Sequence, residues 1–394
     1  MRRHASFLPT AVMLAATLLA AAPATAADEA SRLHLRGLLD LVLHNDNHAV
    51  ELARFDPESS PLESQRLRLF AEGSASASVD VFTQVVISQN EFWLDGAYAL
   101  ITPWHERDLH LMAGKVPALV GVWAPRTYSN KNPLVTSPLL YQHHTSLRWD
   151  DTPPSAEALL AAAGRGWNGA DYGFGAGAPG MPIVDDYGWD FGVAVIGSRA
   201  PFEFTLGVTN SAPGWASPGE DVNDGKAVQG RIGLVPTAGV RVGVSAAHGA
   251  YLGDWVRWSL PEGRTEADYA QDLLMTDLAF ERGRLELHGE GCLNAFDTPY
   301  CGVLRSTGGY VEGRWGFDNG LWLAVRGEAL RFSDLTAGTV TRPWDDDVDR
   351  TESGLGYRLA RGAAVKAAWQ RTRLHEAGGV QTHDLFMTQL SLEF

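Results

Sequence analysis

The feature that most constrains this chain is a two-residue alternation, which its last stretch shows most cleanly. In His383–Phe394 (HDLFMTQLSLEF), Phe394, Leu392, Leu390, Thr388 and Phe386 share one face, and Glu393, Ser391, Gln389 and Met387 share the other. A period of two with one apolar face is the pattern of a β-strand. The pattern recurs back to Leu33. It predicts sixteen strands, at 33–44, 66–74, 78–88, 93–102, 107–115, 187–198, 201–210, 226–235, 238–249, 270–282, 284–293, 304–317, 320–332, 352–360, 363–374 and 383–394. Glycine is spread evenly and no linker or composition shift divides the chain, so one all-β unit is expected.

The gaps between these runs alternate in length. Short turns fall at Ala75–Ala77, Pro103–Glu106, Arg199–Ala200, Pro236–Thr237, Gly283, Asp318–Asn319 and Arg361–Gly362. Longer connections fall at Asn45–Ser64, Ser211–Gly225, Ala250–Tyr269, Asn294–Val303, Ser333–Thr351 and His375–Thr382. An even strand count, with short turns at one end and long loops at the other, describes a closed membrane barrel. The faces agree with this. Leu285, Leu287 and Leu293 oppose Glu286, His288 and Glu290, and Leu321, Leu323 and Val325 oppose Arg326 and Glu328. A soluble sandwich with its apolar faces turned inward would alternate in the same way. It leaves unexplained the terminal Phe394 and the aromatics near strand ends (Trp93, Trp104, Tyr187, Trp189, Phe202, Trp315, Phe317 and Trp322), which suit an interfacial girdle. The expected fold class is all-β: a 16-stranded antiparallel transmembrane β-barrel with a long third external loop.

Residues 1–26 read as a cleavable signal peptide. Arg2 and Arg3 precede the apolar run Phe7–Ala22, and Ala24-Thr25-Ala26 has the small-x-small cleavage pattern. Residues 27–394 are then the barrel. A net charge of −15 makes nucleic acid an unexpected partner. Cys292 and Cys301 form an even, closely spaced pair in an exported chain, which predicts a disulfide. The DDDVD run at Asp345–Asp349 reads as a solvated loop tip, or as a site for divalent ions among lipopolysaccharide headgroups.

The terminal strand resembles that of Gram-negative outer-membrane barrels, where the barrel-assembly machinery recognises an end such as Phe394. In strand number, terminal Phe, signal peptide and the place of its longest loop, the chain resembles the general porin family. The segment Gly114–Arg126 (GKVPALVGVWAPR) is similar to the strand-to-loop passage of phosphate- and carboxylate-type specific porins. The porin resemblance implies passive diffusion of small hydrophilic solutes and ions, a homotrimer, and contact with outer-membrane lipid and lipopolysaccharide. It also implies that the long loop, 116–186, folds into the lumen and narrows it.

Within that loop Arg126, Lys131 and Arg148 are the candidate constriction cations. Alternation puts Arg36, Asp40, Arg66, Arg68, Glu72, Arg284, Glu286, Arg314, Arg326 and Glu328 on the pore wall. The charges predicted to face inward are nearly balanced, which suits cross-strand pairing better than an arginine ladder for phosphate. No G-x-S-x-G or H-E-x-x-H occurs, and His143-His144-Thr145-Ser146 is the one local cluster with residue types suited to hydrolysis. The chain therefore reads as non-enzymatic and without a cofactor or metal. Two other readings stay open. One is a specific channel for an anionic solute, phosphate or an organic acid, gripped by Arg126 and Lys131. The other is a non-conducting scaffold or adhesin.

Overall fold

The computed structural model describes residues 33–45, 64–88, 91–167, 169–173, 179–186, 188–215 and 221–394. The expected signal peptide lies outside them, as do Tyr187 and most of the first external loop. Sixteen strands close on themselves: β1 (His34–His44), β2 (Ser64–Ser76), β3 (Val79–Ser88), β4 (Glu91–Ile101), β5 (Leu109–Val116), β6 (Asp190–Arg199), β7 (Phe202–Thr209), β8 (Ala227–Thr237), β9 (Val240–Ala250), β10 (Ala270–Arg282), β11 (Leu285–Thr298), β12 (Gly302–Gly316), β13 (Leu321–Phe332), β16 (Asp347–Ala360), β17 (Ala363–Glu376) and β18 (Gly379–Glu393). Every pairing is antiparallel; each barrel strand pairs with the next barrel strand in the chain (β13 with β16, across an intervening hairpin), and β1 closes the barrel against β18. The remaining two strands, β14 (Asp334–Ala337) and β15 (Val340–Pro343), form a small separate hairpin. Among the described residues no helix is long and apolar enough to cross a membrane, so any crossing is made by strands.

All sixteen strands expected from the alternation are present. The short turns need backbone that most residues resist: Gly239 (φ 80°) and Gly283 (φ 61°) stand in the left-handed region that glycine enters without a Cβ clash. Strand faces also follow the alternation. In β13, Leu323 and Val325 are 43% and 53% exposed, whereas Ala324 between them and Arg326 after them are buried. Leucine and valine thus cover the outside, and charged side chains face the lumen. This inversion of the soluble pattern is stable only where lipid replaces water around the wall.

Three expectations are corrected. The Cys292–Cys301 disulfide is absent, and both thiols are free. Cys292 pairs with Gly308 while Thr298, six residues on, pairs with Gly302, so Cys301 lies at the far end of the hairpin. Six strand residues span roughly 20 Å, and a disulfide needs Cα atoms within about 7 Å. Trp322 is not part of an outer girdle. It points inward and its indole N–H donates to the Pro133 carbonyl at 3.0 Å. Trp189 likewise stacks on lumen aromatics. Trp104, Phe202, Trp315 and Phe317 are exposed, as a girdle requires.

The largest buried apolar cluster does not belong to the wall alone. It joins Trp123, Leu139, Leu140, Tyr141, Leu147 and Ile183, from the connection between β5 and β6, to Met275, Phe296, Leu330 and Phe332 on the inner wall. Each buried Leu or Phe contributes about 1.5–3 kcal/mol relative to exposure. The connection is therefore a folded body packed against the inside of the barrel. It contains two short helices, α1 (Leu139–Gln142) and α2 (Ala156–Ala162), the second capped by the Ser155 hydroxyl.

Candidate functional site

The inward charges meet across the ladder as their register dictates. Asp40 stands opposite Arg66, Glu286 opposite Arg314, and Arg326 opposite both Glu312 and Glu352. Cross-strand side chains at such positions lie about 4.5–5.5 Å apart at Cβ, so opposite charges there form pairs. Arg68 reaches Asp40 at 3.3 Å, Arg36 pairs with Glu72, Arg314 with Glu286, and Arg284 with Asp318. All ten wall candidates are thus in ion pairs. The Arg36, Glu72 and Arg284 side chains remain open to water, whereas Asp40, Arg68, Arg326 and Glu328 are buried.

Burial at mid-barrel comes from the segment 117–189, which crosses the lumen to the opposite wall. The wall holds its main chain. Glu290 of β11 accepts from the Val122 N–H at 2.7 Å, and also from the hydroxyls of Tyr141 and Tyr310. Glu352 of β16 accepts from the Val135 and Thr136 N–H groups at 3.0 and 3.3 Å, and Glu328 accepts from Leu139. Lys366 of β17 donates to the carbonyls of Ser129, Asn132 and Leu134 at 2.9, 2.9 and 2.8 Å. Arg326 donates to the Thr136 carbonyl and to Glu312, Glu328 and Glu352. On the near side the Tyr128 hydroxyl donates to Gln84 of β3 at 2.7 Å. Charge-assisted bonds inside a low-dielectric body are the strong class, so the path of this segment is fixed.

The three constriction candidates fare differently. Arg126 enters the lumen and pairs with Glu312, its guanidinium 5.3 Å from the Trp123 ring centroid. Lys131 is exposed on the same segment. Arg148 does not line a passage. Its side chain is fully buried, forked onto Asp150 and donating to the Ala170 carbonyl, where it braces the outer half of the insertion. The wall-to-backbone contacts of Lys366, Glu290 and Glu352 were not singled out from sequence. Their inward parity was visible, but nothing local marked them as partners of a distant loop.

The outer half of the insertion is fastened from above. Asp345, between β15 and β16, accepts N–H bonds from Ser146 at 2.6 Å and Gly164 at 2.7 Å. Burial raises its carboxyl to about 6 against those stabilising bonds. Asp347 accepts from the Phe332 N–H and Asp349 pairs with Arg331, so these acids of the run are internal fasteners and not a free tip. Burial lowers His143 to about 3. The Ser146 hydroxyl donates to the Ala162 carbonyl at 2.7 Å, so it is not aligned on a histidine base. Among the described residues no group of His, Cys, Asp and Glu has the geometry to hold a metal ion.

A closed sixteen-stranded antiparallel barrel is the porin fold, and solved structures share it. OmpT, an outer membrane protein of Vibrio cholerae solved in a trimer form, superposes with TM-score 0.53 at 12% identity, over 93% of this chain and 100% of that one. The anion-selective porin from Comamonas acidovorans gives 0.52 at 10%, covering 92% and 99%. Salmonella typhi OmpF in complex with daunomycin gives 0.56 at 10%, covering 94% and 99%. No family model and no curated protein matches the sequence.

Proposed function

We propose that this chain is an outer-membrane channel for passive diffusion of small hydrophilic solutes and ions, with the segment 117–189 as its constriction. The observation that carries this reading is the attachment of that segment's backbone to inward side chains from β11 to β17, which sets it across the lumen at a fixed height. The open ends of the lumen carry paired charges of both signs, which suits weak ion selectivity. The fold shared with outer-membrane porins, one of them a trimer, supports an outer-membrane location and a homotrimer. Lipid, lipopolysaccharide and the assembly machinery are the corresponding partners, and no catalytic role or cofactor is part of the reading. A grip on phosphate or an organic acid by Arg126 is less favoured, because Glu312 already engages that guanidinium. The test is single-channel recording of the refolded protein in a planar bilayer. Stable ohmic steps support the channel; a correctly folded barrel without conductance moves the assignment to a closed scaffold.

A further inference from the structure

The end of the barrel that carries the short turns also carries unpaired arginines. Arg107 stands between β4 and β5, Arg199 ends β6, Arg282 ends β10, and Arg361 stands between β16 and β17. All four are exposed, and among the described residues none makes an ion pair or hydrogen bond through its side chain. Acids at this rim do not balance them. Asp318 is held by Arg284 and Asp108 by His110, and Glu281 shares the inward parity of Asp277. Glu106, in the same turn as Arg107, is exposed. At the opposite end outward cations meet acids instead: Arg331 pairs with Asp349, Arg371 with Asp384 and His248 with Asp272, while Arg305 and Arg373 are exposed without a partner.

Each rim arginine has an exposed aromatic within one step. The Arg107 N–H donates to the Trp104 carbonyl at 3.1 Å. Arg199 stands opposite Phe202 in the ladder, and Arg282 stands opposite Leu285, whose other neighbour is Trp315. Gly362, after Arg361, accepts from the N–H of Glu393, the residue before Phe394. Trp104, Phe202, Trp315 and Phe394 are all exposed. Aromatic rings at strand ends settle at the membrane interface. An arginine beside such a ring lays its stem on apolar surface and brings its guanidinium to phosphate level. The turns of Arg199, Arg282 and Arg361 are four strands apart, roughly 20 Å. Arg107 is two strands from Arg199, roughly 10 Å. The screening length is about 8 Å at physiological salt, so each charge acts singly. One small polyvalent anion cannot bridge them.

We propose that this rim binds anionic glycerophospholipids of the leaflet at the short turns, the periplasmic one in an outer-membrane barrel, with one lipid at each arginine. The guanidinium forks onto the phosphate diester, and the neighbouring ring packs on the glycerol end of the acyl chains. A zwitterionic headgroup brings its own ammonium to the phosphate, so the arginine gains less there. The assignment rests on the outer-membrane placement in the reading above and not on conductance.

The test is native mass spectrometry of the full chain refolded in detergent and titrated with phosphatidylglycerol or phosphatidylcholine. Phosphatidylglycerol adducts are expected to build toward one per arginine at concentrations where phosphatidylcholine adducts are rare. Each arginine should account for about fivefold in association. Changing all four residues, by Arg107→Gln, Arg199→Gln, Arg282→Gln and Arg361→Gln, should bring phosphatidylglycerol down to the phosphatidylcholine level. Arg305→Gln with Arg373→Gln should leave it unchanged. If the fourfold variant fails to fold, the pairs Arg107→Gln with Arg199→Gln and Arg282→Gln with Arg361→Gln should each remove about half of the excess adducts. Equal retention of the two lipids, or a preference untouched by the rim variants, overturns the inference. So does displacement of phosphatidylglycerol by equimolar inorganic phosphate, which would mark a site for a soluble anion. Binding to isolated peptidoglycan that is lost in the fourfold variant while lipid adducts persist would assign the rim to that polymer instead. A barrel that retains phosphatidylglycerol through the rim but does not conduct overturns the channel alone, and a conducting barrel without the preference overturns this inference alone.

Discussion

Phe394 closes the barrel on Gly37. Its carbonyl accepts from the Gly37 N–H at 2.8 Å, its own N–H donates to the Gly37 carbonyl at 3.0 Å, and its ring covers the Gly37 α-carbon so closely that a methyl there would overlap the ring. Gly37→Val should therefore push the ring off the seam and slow closure. The expected outcome is a refolding yield in detergent several-fold lower than that of the parent, read from the heat-modifiable band shift on a gel. Equal yields would show that the ring contact is dispensable.

Lys366→Met removes three charge-assisted bonds to the insertion's carbonyls and leaves those carbonyls buried beside a thioether. Bonds to charged groups contribute about 1.5–3 kcal/mol each before compensation, so the inner half of the insertion should loosen while the barrel stays closed. Trypsin cleavage at exposed Lys131 should quicken, and the conductance should become larger and noisier. Unchanged cleavage would argue that the packed apolar side chains alone hold the segment.

Arg326→Leu leaves Glu312, Glu328 and Glu352 around an uncharged side chain. Removing one partner of a buried ionic group costs about 3–5 kcal/mol. The unfolding midpoint in detergent should fall clearly, and a second change, Glu352→Gln, should recover part of the loss.

The attachment of the outer half should depend on pH. The Asp345 carboxyl is raised to about 6 in the folded protein, against about 3.9 when unfolded. The native state therefore binds this proton more tightly, so its contribution is full below about pH 4 and is lost as the pH rises through 6. His143, lowered to about 3, acts in the other direction: its contribution is full above about pH 6.5 and is lost as the pH falls toward 3. Amide exchange at Ser146 and Gly164 should slow between pH 7 and pH 5 relative to Asp345→Asn, once the intrinsic pH dependence is removed. Parallel profiles in the two proteins would refute the assignment.

Because Cys301 sits at the hairpin's turn and Cys292 lies mid-strand, six residues further down β11 from Thr298, unreduced unfolded protein should take up two maleimides, and a reductant should not shift the folded band. A single mass without label would restore the disulfide.

Most of the wall was legible in the sequence because lipid outside and charge inside enforce one parity from end to end. The limits lay where that parity loses its cause. β16 begins at Asp347, before the predicted 352, because the hairpin continues past the apolar band with polar residues on both faces. Trp322 shares the even parity of Arg326, so its inward direction was readable; residue type suggested a girdle and parity was the better guide. The partners of Lys366 and Glu290 were not readable at all. They bind main-chain atoms of residues 232 and 168 positions away, and main-chain atoms leave no signature in a sequence.

Main-chain mounting shapes how such a barrel can change over generations. At Val122, Ser129, Asn132, Leu134 and Val135 the wall grips main-chain N–H or C=O groups, so an exchange of side chain at an exposed position such as Asn130 or Lys131 leaves those mounting bonds in place. Solute preference is then free to drift on a scaffold whose mounting points are inherited separately, on β11 to β17.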